Sequence, residues 1–179
     1  MIDFCHQNYT ENFIQSIFNS IPAKGSTLVI GGDGRYLSPE TAQIILKIGS
    51  ANGVEKFIVG KDAILSTPAA SNVIRKYKAI GGILLTASHF PGGPNGDFGI
   101  KYNTSNGGPA PSDVRNQIYE NTKTITSYKV IDAPTVSLSA SFVLVSKCIL
   151  IFGRSICQKP ESTHMVLARC LLSILCLII

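Results

Sequence analysis

The sequence alternates short apolar runs with amphipathic helical segments, and that alternation restricts the chain to one architecture. "STLVIGG" (26–32) ends in the turn-forming "GGDG" around Asp33, and "SPETAQIILKIGSANG" (38–53) follows with Ala42, Ile45 and Ile48 at helical spacing. Ser38 is the expected N-cap of that helix, Pro39 its first turn, and Gly53 its stop. The unit then recurs. "KFIVG" (56–60) reads as a strand, and "STPAASNVIRKYKAIGG" (66–82) as a helix capped by Thr67 with Pro68 behind it. "GILLT" (82–86) is a third strand, "GIKYN" (99–103) a fourth, and "PSDVRNQIYENTKTI" (111–125) a helix with Val114, Ile118 and Ile125 on one side. Ahead of them all, "ENFIQSIFNSI" places Phe13, Ile14, Ile17, Phe18 and Ile21 on one helical face. Strands that are apolar on both sides need cover on both sides, so the expected fold is α/β: a layered domain with a mixed, mostly parallel sheet flanked by helices.

Composition excludes several function classes. Apolar residues make up 45% and charged residues 15% of the 179, a globular balance rather than a disordered one. The net charge of +5 is concentrated late: residues 1–132 hold 12 Lys/Arg against 10 Asp/Glu, and residues 133–179 hold four against one. No basic run is interleaved with aromatic residues, so nucleic acid is not an expected partner. Five cysteines (Cys5, Cys148, Cys157, Cys170, Cys176) form no C-x-x-C pair, which argues against a disulfide framework or a zinc site. "MIDFCHQNYTENF" lacks the basic start and apolar core of a signal peptide, and the expected compartment is the cytoplasm.

In open parallel sheets ligands gather beyond the carboxyl ends of strands. Two segments sit there: "GGDGR", and "TASHFPGGPNGDFG" with Ser88 at its exposed point. A loop that long between strands is commonly functional. A serine hydroxyl acts either as an activated nucleophile or as the carrier of a transferable group. The hydrolase elbow G-x-S-x-G is absent, as are G-x-x-x-x-G-K-[ST] and an intact G-x-G-x-x-G, since Leu37 takes the last glycine's place in "GGDGRYL". A phosphate carrier needs glycine-rich backbone and nearby cations, and Arg35, His89 and Lys101 are candidates. Blander roles stay open for each: Arg35 paired with Asp33, Lys101 as a solvated strand end, His89 as a loop hydrogen-bonder.

"LLTASHFPGGPNGDFGIKYNTSNGGPAP", with "VIGGDGRY" and "ILSTPAASNVIRKYKAIGGI", closely resembles the first domain of eukaryotic phosphoglucomutases, within the α-D-phosphohexomutase superfamily, over roughly residues 9–132. The resemblance implies an enzyme interconverting glucose 1-phosphate and glucose 6-phosphate, with Ser88 carrying the phosphoryl group and glucose 1,6-bisphosphate as intermediate and activator. It implies that His89 stabilises charge at the phosphoryl group, that Lys101 serves as acid/base or electrostatic group, and that Arg35 binds phosphate. It also implies Mg2+ on the Ser88 phosphoryl oxygen, a small hexose phosphate as partner, and a monomer. Cations and a metal suit phosphoryl transfer, whose charge spreads over three equatorial oxygens.

Departures from the family pattern accompany the match. Phe90 stands where the pattern T-A-S-H-N-P-G-G has asparagine; an apolar ring cannot bond its own backbone, which puts the loop's geometry and any hydrogen bond made there in question. No T-S-G-L-R-type segment, which the family pattern carries on its first strand, precedes Tyr9, so the domain is expected to be truncated at that strand and to lack its arginine. The D-G-D-G-D metal loop, the G-E-E-S-F-G sugar loop and the later phosphate-binding loop are all absent, so the chain is expected to hold part of an active site and to be inactive alone. From Ala133 the resemblance stops. Residues 133–179 read as an atypical hydrophobic tail, for which a membrane anchor and an extra helical layer are weaker readings than a non-native end. Cys170–Ile179 is too short to span about 30 Å of hydrocarbon as a helix, and Val136–Phe152 carries Lys147 and four serines.

Overall fold

The computed structural model describes residues 8–139 and three further backbone segments, Phe142–Ser146, Ser155–Ile156 and Leu175–Ile178. The chain runs α1 (Tyr9–Asn19), β1 (Thr27–Gly32), α2 (Ser38–Ala51), β2 (Lys56–Gly60), a 3-10 turn (Lys61–Ala63), α3 (Thr67–Lys76), β3 (Gly81–Leu85), β4 (Ile100–Thr104), α4 (Ser112–Thr124) and β5 (Lys129–Val130). The central sheet has the order β4-β3-β1-β2. β1 pairs in parallel with both β2 and β3, and β4 returns antiparallel on the outer side of β3. This is the expected α/β sheet, with its antiparallel member at the edge. The backbone segments β6 (Phe142–Ser146) and β8 (Leu175–Ile178) extend it antiparallel beyond β2, and β7 (Ser155–Ile156) pairs with β5.

Burial on both faces explains the uninterrupted apolar strands. Leu28, Ile30, Phe57, Val59, Ile83 and Leu85 face a core completed by Ile14, Ile17 and Phe18 of α1, Ile45 and Ile48 of α2, and Ile118 of α4. Val29, Ile58 and Leu84 face the other way, onto Ala70 and Ile74 of α3. Alternate residues thus enter opposite cores, and each fully buried aliphatic side chain contributes about 1.5–3 kcal/mol. Gly49 lets α2 settle: a Cβ there would lie 2.8 Å from the Phe57 ring and 2.9 Å from that of Phe18.

Both expected N-caps move by one residue. Ser38 is the first residue of α2, with Leu37 at the cap; its hydroxyl is buried and has no hydrogen-bond partner among the described residues. In α3 the cap is Ser66, not Thr67: Ser66 Oγ accepts from the Ala69 N–H at 3.4 Å, leaving Pro68 within the first turn where no N–H is needed.

A polar knot ties the helices together. Gln15, 2% exposed, donates to Asn19 Oδ1 (2.9 Å) and Asn52 Oδ1 (3.0 Å), while its Oε1 accepts from Asn52 Nδ2 (3.0 Å) and the Lys129 N–H (2.9 Å). Residues beyond 132 also pack: the Gln43 side chain holds both N–H and C=O of Val136 (2.9 and 2.8 Å), the Asp62 N–H donates to the Leu138 carbonyl (2.6 Å), and Leu138 is buried. The tail readings from residue 140 onward lie outside the described residues, apart from the three strand segments. Among the described residues no helix is long and apolar enough to cross a membrane.

Two outcomes follow from these contacts. Gln15→Ala removes four hydrogen bonds made by a side chain that is itself only 2% exposed and leaves its space unfilled, and is expected to lower unfolding free energy by about 1–3 kcal/mol in urea denaturation. Burial pushes the Tyr102 hydroxyl up to about 12, so the folded chain keeps a proton that the unfolded chain releases above about pH 10. Stability is therefore expected to fall as pH rises from about 10 to 12, and Tyr102→Phe to remove that part of the slope in thermal melts.

Candidate active site

The parallel register aligns Gly32 with Leu85, so the loops leaving β1 and β3 start side by side at the carboxyl edge. Gly32 permits the approach, because a Cβ there would run into the Leu85 carbonyl oxygen. Asp33 follows one residue past β1, and its N–H donates to the Leu85 carbonyl at 3.2 Å. Thr86 follows one residue past β3, and its N–H donates to the Gly99 carbonyl at 2.8 Å, closing the neck of the loop spanning residues 86–99.

Ser88 sits exposed on a tight turn in which the Phe90 N–H reaches the Ala87 carbonyl at 3.2 Å. Its φ is +59°, a left-handed conformation that costs a residue with a Cβ roughly 1–2 kcal/mol. β4 delivers Lys101 to it. Residue 101 pairs with Leu84 of β3, and Lys101 Nζ donates to Ser88 Oγ at 2.7 Å. An exposed hydroxyl and an ammonium thus meet from opposite ends of one loop.

Arg35 reaches the same loop from β1, yet its guanidinium points inward. Its side chain is 7% exposed, and Nε donates to Asp33 Oδ2 at 3.0 Å. Nη1 donates to the carbonyls of Phe90 (2.9 Å), Asp97 (2.9 Å) and Pro91 (3.2 Å), and Nη2 to that of Ser88 (2.9 Å). The buried charge is solvated by loop carbonyls. Arg35, expected as a phosphate ligand, is thus built into the loop itself. His89 is exposed and stacks on Phe90, with ring centroids 4.8 Å apart and planes 22° apart. In the turn both backbone polar groups of Phe90 are bonded, its N–H to the Ala87 carbonyl and its carbonyl to Arg35, while its ring stays 55% exposed.

Ser88 thus meets Lys101 at its hydroxyl and Arg35 at its carbonyl, while His89, next in the chain, stacks on Phe90. Sequence reasoning missed Thr86, whose hydroxyl donates to Asp33 Oδ2 at 2.7 Å and accepts the Ser88 N–H at 3.0 Å; the only signal was its place two residues before the serine. Among the described residues no three His, Cys, Asp or Glu side chains cluster, so the described side chains do not by themselves enclose a metal ion. A groove of about 800 Å3 opens between β4, α1 and α4, walled by Phe13, Ile100, Ile118 and Tyr119; Lys101 lines it, but Ser88, His89 and Arg35 do not. The hydroxyl–ammonium pair, not cavity size, marks the site.

A layered α/β/α domain presenting such a serine loop is a phosphohexomutase first domain. The chain belongs to the phosphoglucomutase/phosphomannomutase family, whose α/β/α domain I model matches residues 2–129. It is 64% identical over 135 residues to the phosphoglucomutase of Emericella nidulans, covering 74% of this chain and 24% of that protein. It is 54% identical over 147 residues to the probable cytoplasmic phosphoglucomutase 1 of Arabidopsis thaliana, covering 76% of this chain and 25% of the relative. The crystal structure of the exocytosis-sensitive phosphoprotein parafusin of Paramecium, a phosphoglucomutase in an open form, superposes with a TM-score of 0.74 at 39% identity, over 79% of this chain and 30% of that one. The chain thus spans about a quarter of the length of the relatives it matches.

The positive φ yields a test. Ser88→Gly relieves the backbone and Ser88→Ala does not, so the glycine variant is expected to be more stable than the alanine variant by about 1 kcal/mol in denaturant titrations.

Proposed function

We propose that this chain is the phosphoryl-carrying domain of a phosphoglucomutase, with Ser88 as the carrier. The observation that supports this reading most is the 2.7 Å contact between Lys101 Nζ and the exposed Ser88 hydroxyl. Charging the serine forms a bond between Ser88 Oγ and phosphorus as the bond from phosphorus to a sugar oxygen breaks; the hydroxyl proton leaves Ser88 and the sugar oxygen gains one. Discharge reverses this on the other hydroxyl of the hexose phosphate, so that glucose 1,6-bisphosphate stands between the two monophosphates. Lys101 donates to the serine oxygen as charge develops on it, which is the larger part of catalysis in phosphoryl transfer. His89, exposed beside the serine, supplies a donor to the phosphoryl oxygens, and Arg35 adds positive charge from beneath the loop.

Mg2+ would take one ligand here, the phosphoryl oxygen on Ser88. It would offset negative charge on the transferring group, and no cluster of three carboxylates among the described residues completes its coordination. Turnover of hexose phosphates accordingly needs groups beyond these 179 residues, and the chain alone is proposed to be charged at Ser88 without completing a mutase cycle. The name of the Arabidopsis relative supports a cytoplasmic location. A monomer acting on a small hexose phosphate, with no nucleic-acid partner, accords with the modest, unclustered charge of residues 1–132.

A second reading, a non-catalytic binding module, is favoured by one feature, the Phe90 ring lying on His89. One experiment separates the two. Chain incubated with glucose 1,6-bisphosphate and Mg2+ is expected to gain a single phosphoryl group, mapped to Ser88 by peptide mass spectrometry. Ser88→Ala is expected to gain none, and Lys101→Ala to slow charging by about a hundredfold. Phosphate at another residue, or none on folded protein, rules out the carrier reading.

A further inference from the structure

Ser88 is held in its left-handed turn by two arms that converge on a single oxygen. On one side, the Ser88 N–H donates to Thr86 Oγ1 at 3.0 Å, and Thr86 Oγ1 donates its own proton to Asp33 Oδ2 at 2.7 Å. On the other side, the Ser88 carbonyl accepts from Arg35 Nη2 at 2.9 Å, and Arg35 Nε donates to the same Asp33 Oδ2 at 3.0 Å. Both peptide groups flanking the Ser88 Cα are thus fastened, and Asp33 Oδ2 closes the ring. We propose that Asp33 is the positioning residue of the serine loop: through Thr86 and Arg35 it holds Ser88 at φ +59° with its hydroxyl facing Lys101.

Three features carry the argument. The strain at Ser88 persists only where surrounding bonds over-determine the backbone, and these arms supply a bond on each side of the strained residue. The Thr86 proton has one direction: because the hydroxyl accepts from Ser88, its hydrogen is left for a carboxylate that can only accept. The Asp33 charge also fixes the guanidinium plane, since a buried Arg35 without its carboxylate partner would be free to redistribute its donors among the loop carbonyls. Asp33 does not touch Ser88 Oγ or any reacting atom, so its effect is geometric. A hydroxyl displaced by about an ångström from its partner loses on the order of a hundredfold in rate.

The role in phosphoryl transfer rests on the carrier reading of Ser88, so the test has two independent readouts on the 179-residue chain. The first is amide hydrogen exchange at Ser88 by NMR, which needs no phosphorylation; the second is the rate of Ser88 charging by glucose 1,6-bisphosphate. Asp33→Ala and Thr86→Val are expected to speed Ser88 exchange by about tenfold, with β1 and β3 amides unchanged. They should slow charging by about tenfold to a hundredfold at equal folded fraction. Thr86→Ser keeps the hydroxyl and should recover both quantities relative to Thr86→Val, a rescue that loss of packing alone would not give. Should Asp33→Ala fail to fold, Asp33→Asn and Thr86→Val carry the comparison. Unchanged Ser88 exchange in folded Asp33 and Thr86 variants overturns the proposal even if wild-type Ser88 is charged. Accelerated exchange with no charging of the wild type supports the clamp and removes the carrier reading.

Discussion

The parallel pairing of β1 with β3 sets the geometry on which the serine loop depends. With Gly32 beside Leu85, the next residues on each strand are Asp33 and Thr86, and two residues further stand Arg35 and Ser88. Residues more than fifty positions apart in sequence therefore arrive at the same height above the sheet, without any long side chain searching for its partner. Once there, Arg35 is committed. A guanidinium 7% exposed cannot rely on water, and the carbonyls of residues 88–97 are its solvent. Burying the charge and closing the loop are one event, and that is why a stretch with four glycines and two prolines keeps a defined shape despite its lack of regular structure.

The same arrangement explains how an exposed serine tolerates a backbone conformation suited to glycine. Left-handed φ at a residue with a Cβ is unfavourable by roughly 1–2 kcal/mol, comparable to one or two net hydrogen bonds. Ser88 has a bond on its N–H, a bond on its C=O, and a third at its hydroxyl. The strained turn presents the Ser88 hydroxyl to Lys101 of β4, so strain and hydroxyl–ammonium contact fall on one residue.

How much of this was legible in the sequence depended on the kind of interaction. The strands and helices were readable because burial on both faces leaves continuous apolar runs in 28–30, 57–59 and 83–85, and that pattern is local. The position of the serine loop followed from strand order. The two caps differ from expectation for separate reasons: at α2 the cap is Leu37, which makes no side-chain bond, so the Ser38 hydroxyl does not mark the boundary. At α3 Ser66 and Thr67 offer adjacent hydroxyls, and which one meets an N–H depends on the entry angle of the chain. Gln15 gave no signal at all: a glutamine on a helix reads as solvated, and only the arrival of Asn52 and Lys129 makes it a buried node. Arg35 was legible as a cation near the serine, but its inward direction was not, since that is decided by carbonyls which every sequence possesses.

The substitution at position 90 shows why backbone and side-chain roles need separating. An asparagine-to-phenylalanine change in a turn is expected to break the turn if the amide side chain was closing it. Here the turn is closed by the Phe90 N–H on Ala87 and by Arg35 on the Phe90 carbonyl, so any L-residue with the same backbone would satisfy it. The effect of the ring falls elsewhere, on His89, against which it lies at 4.8 Å. A stacked imidazole keeps its ring nitrogens at the edge while losing one face to solvent, which restricts its rotation beside Ser88 without removing its donors. Position 90 therefore bears on the imidazole beside Ser88 through its ring, and on the turn only through its backbone.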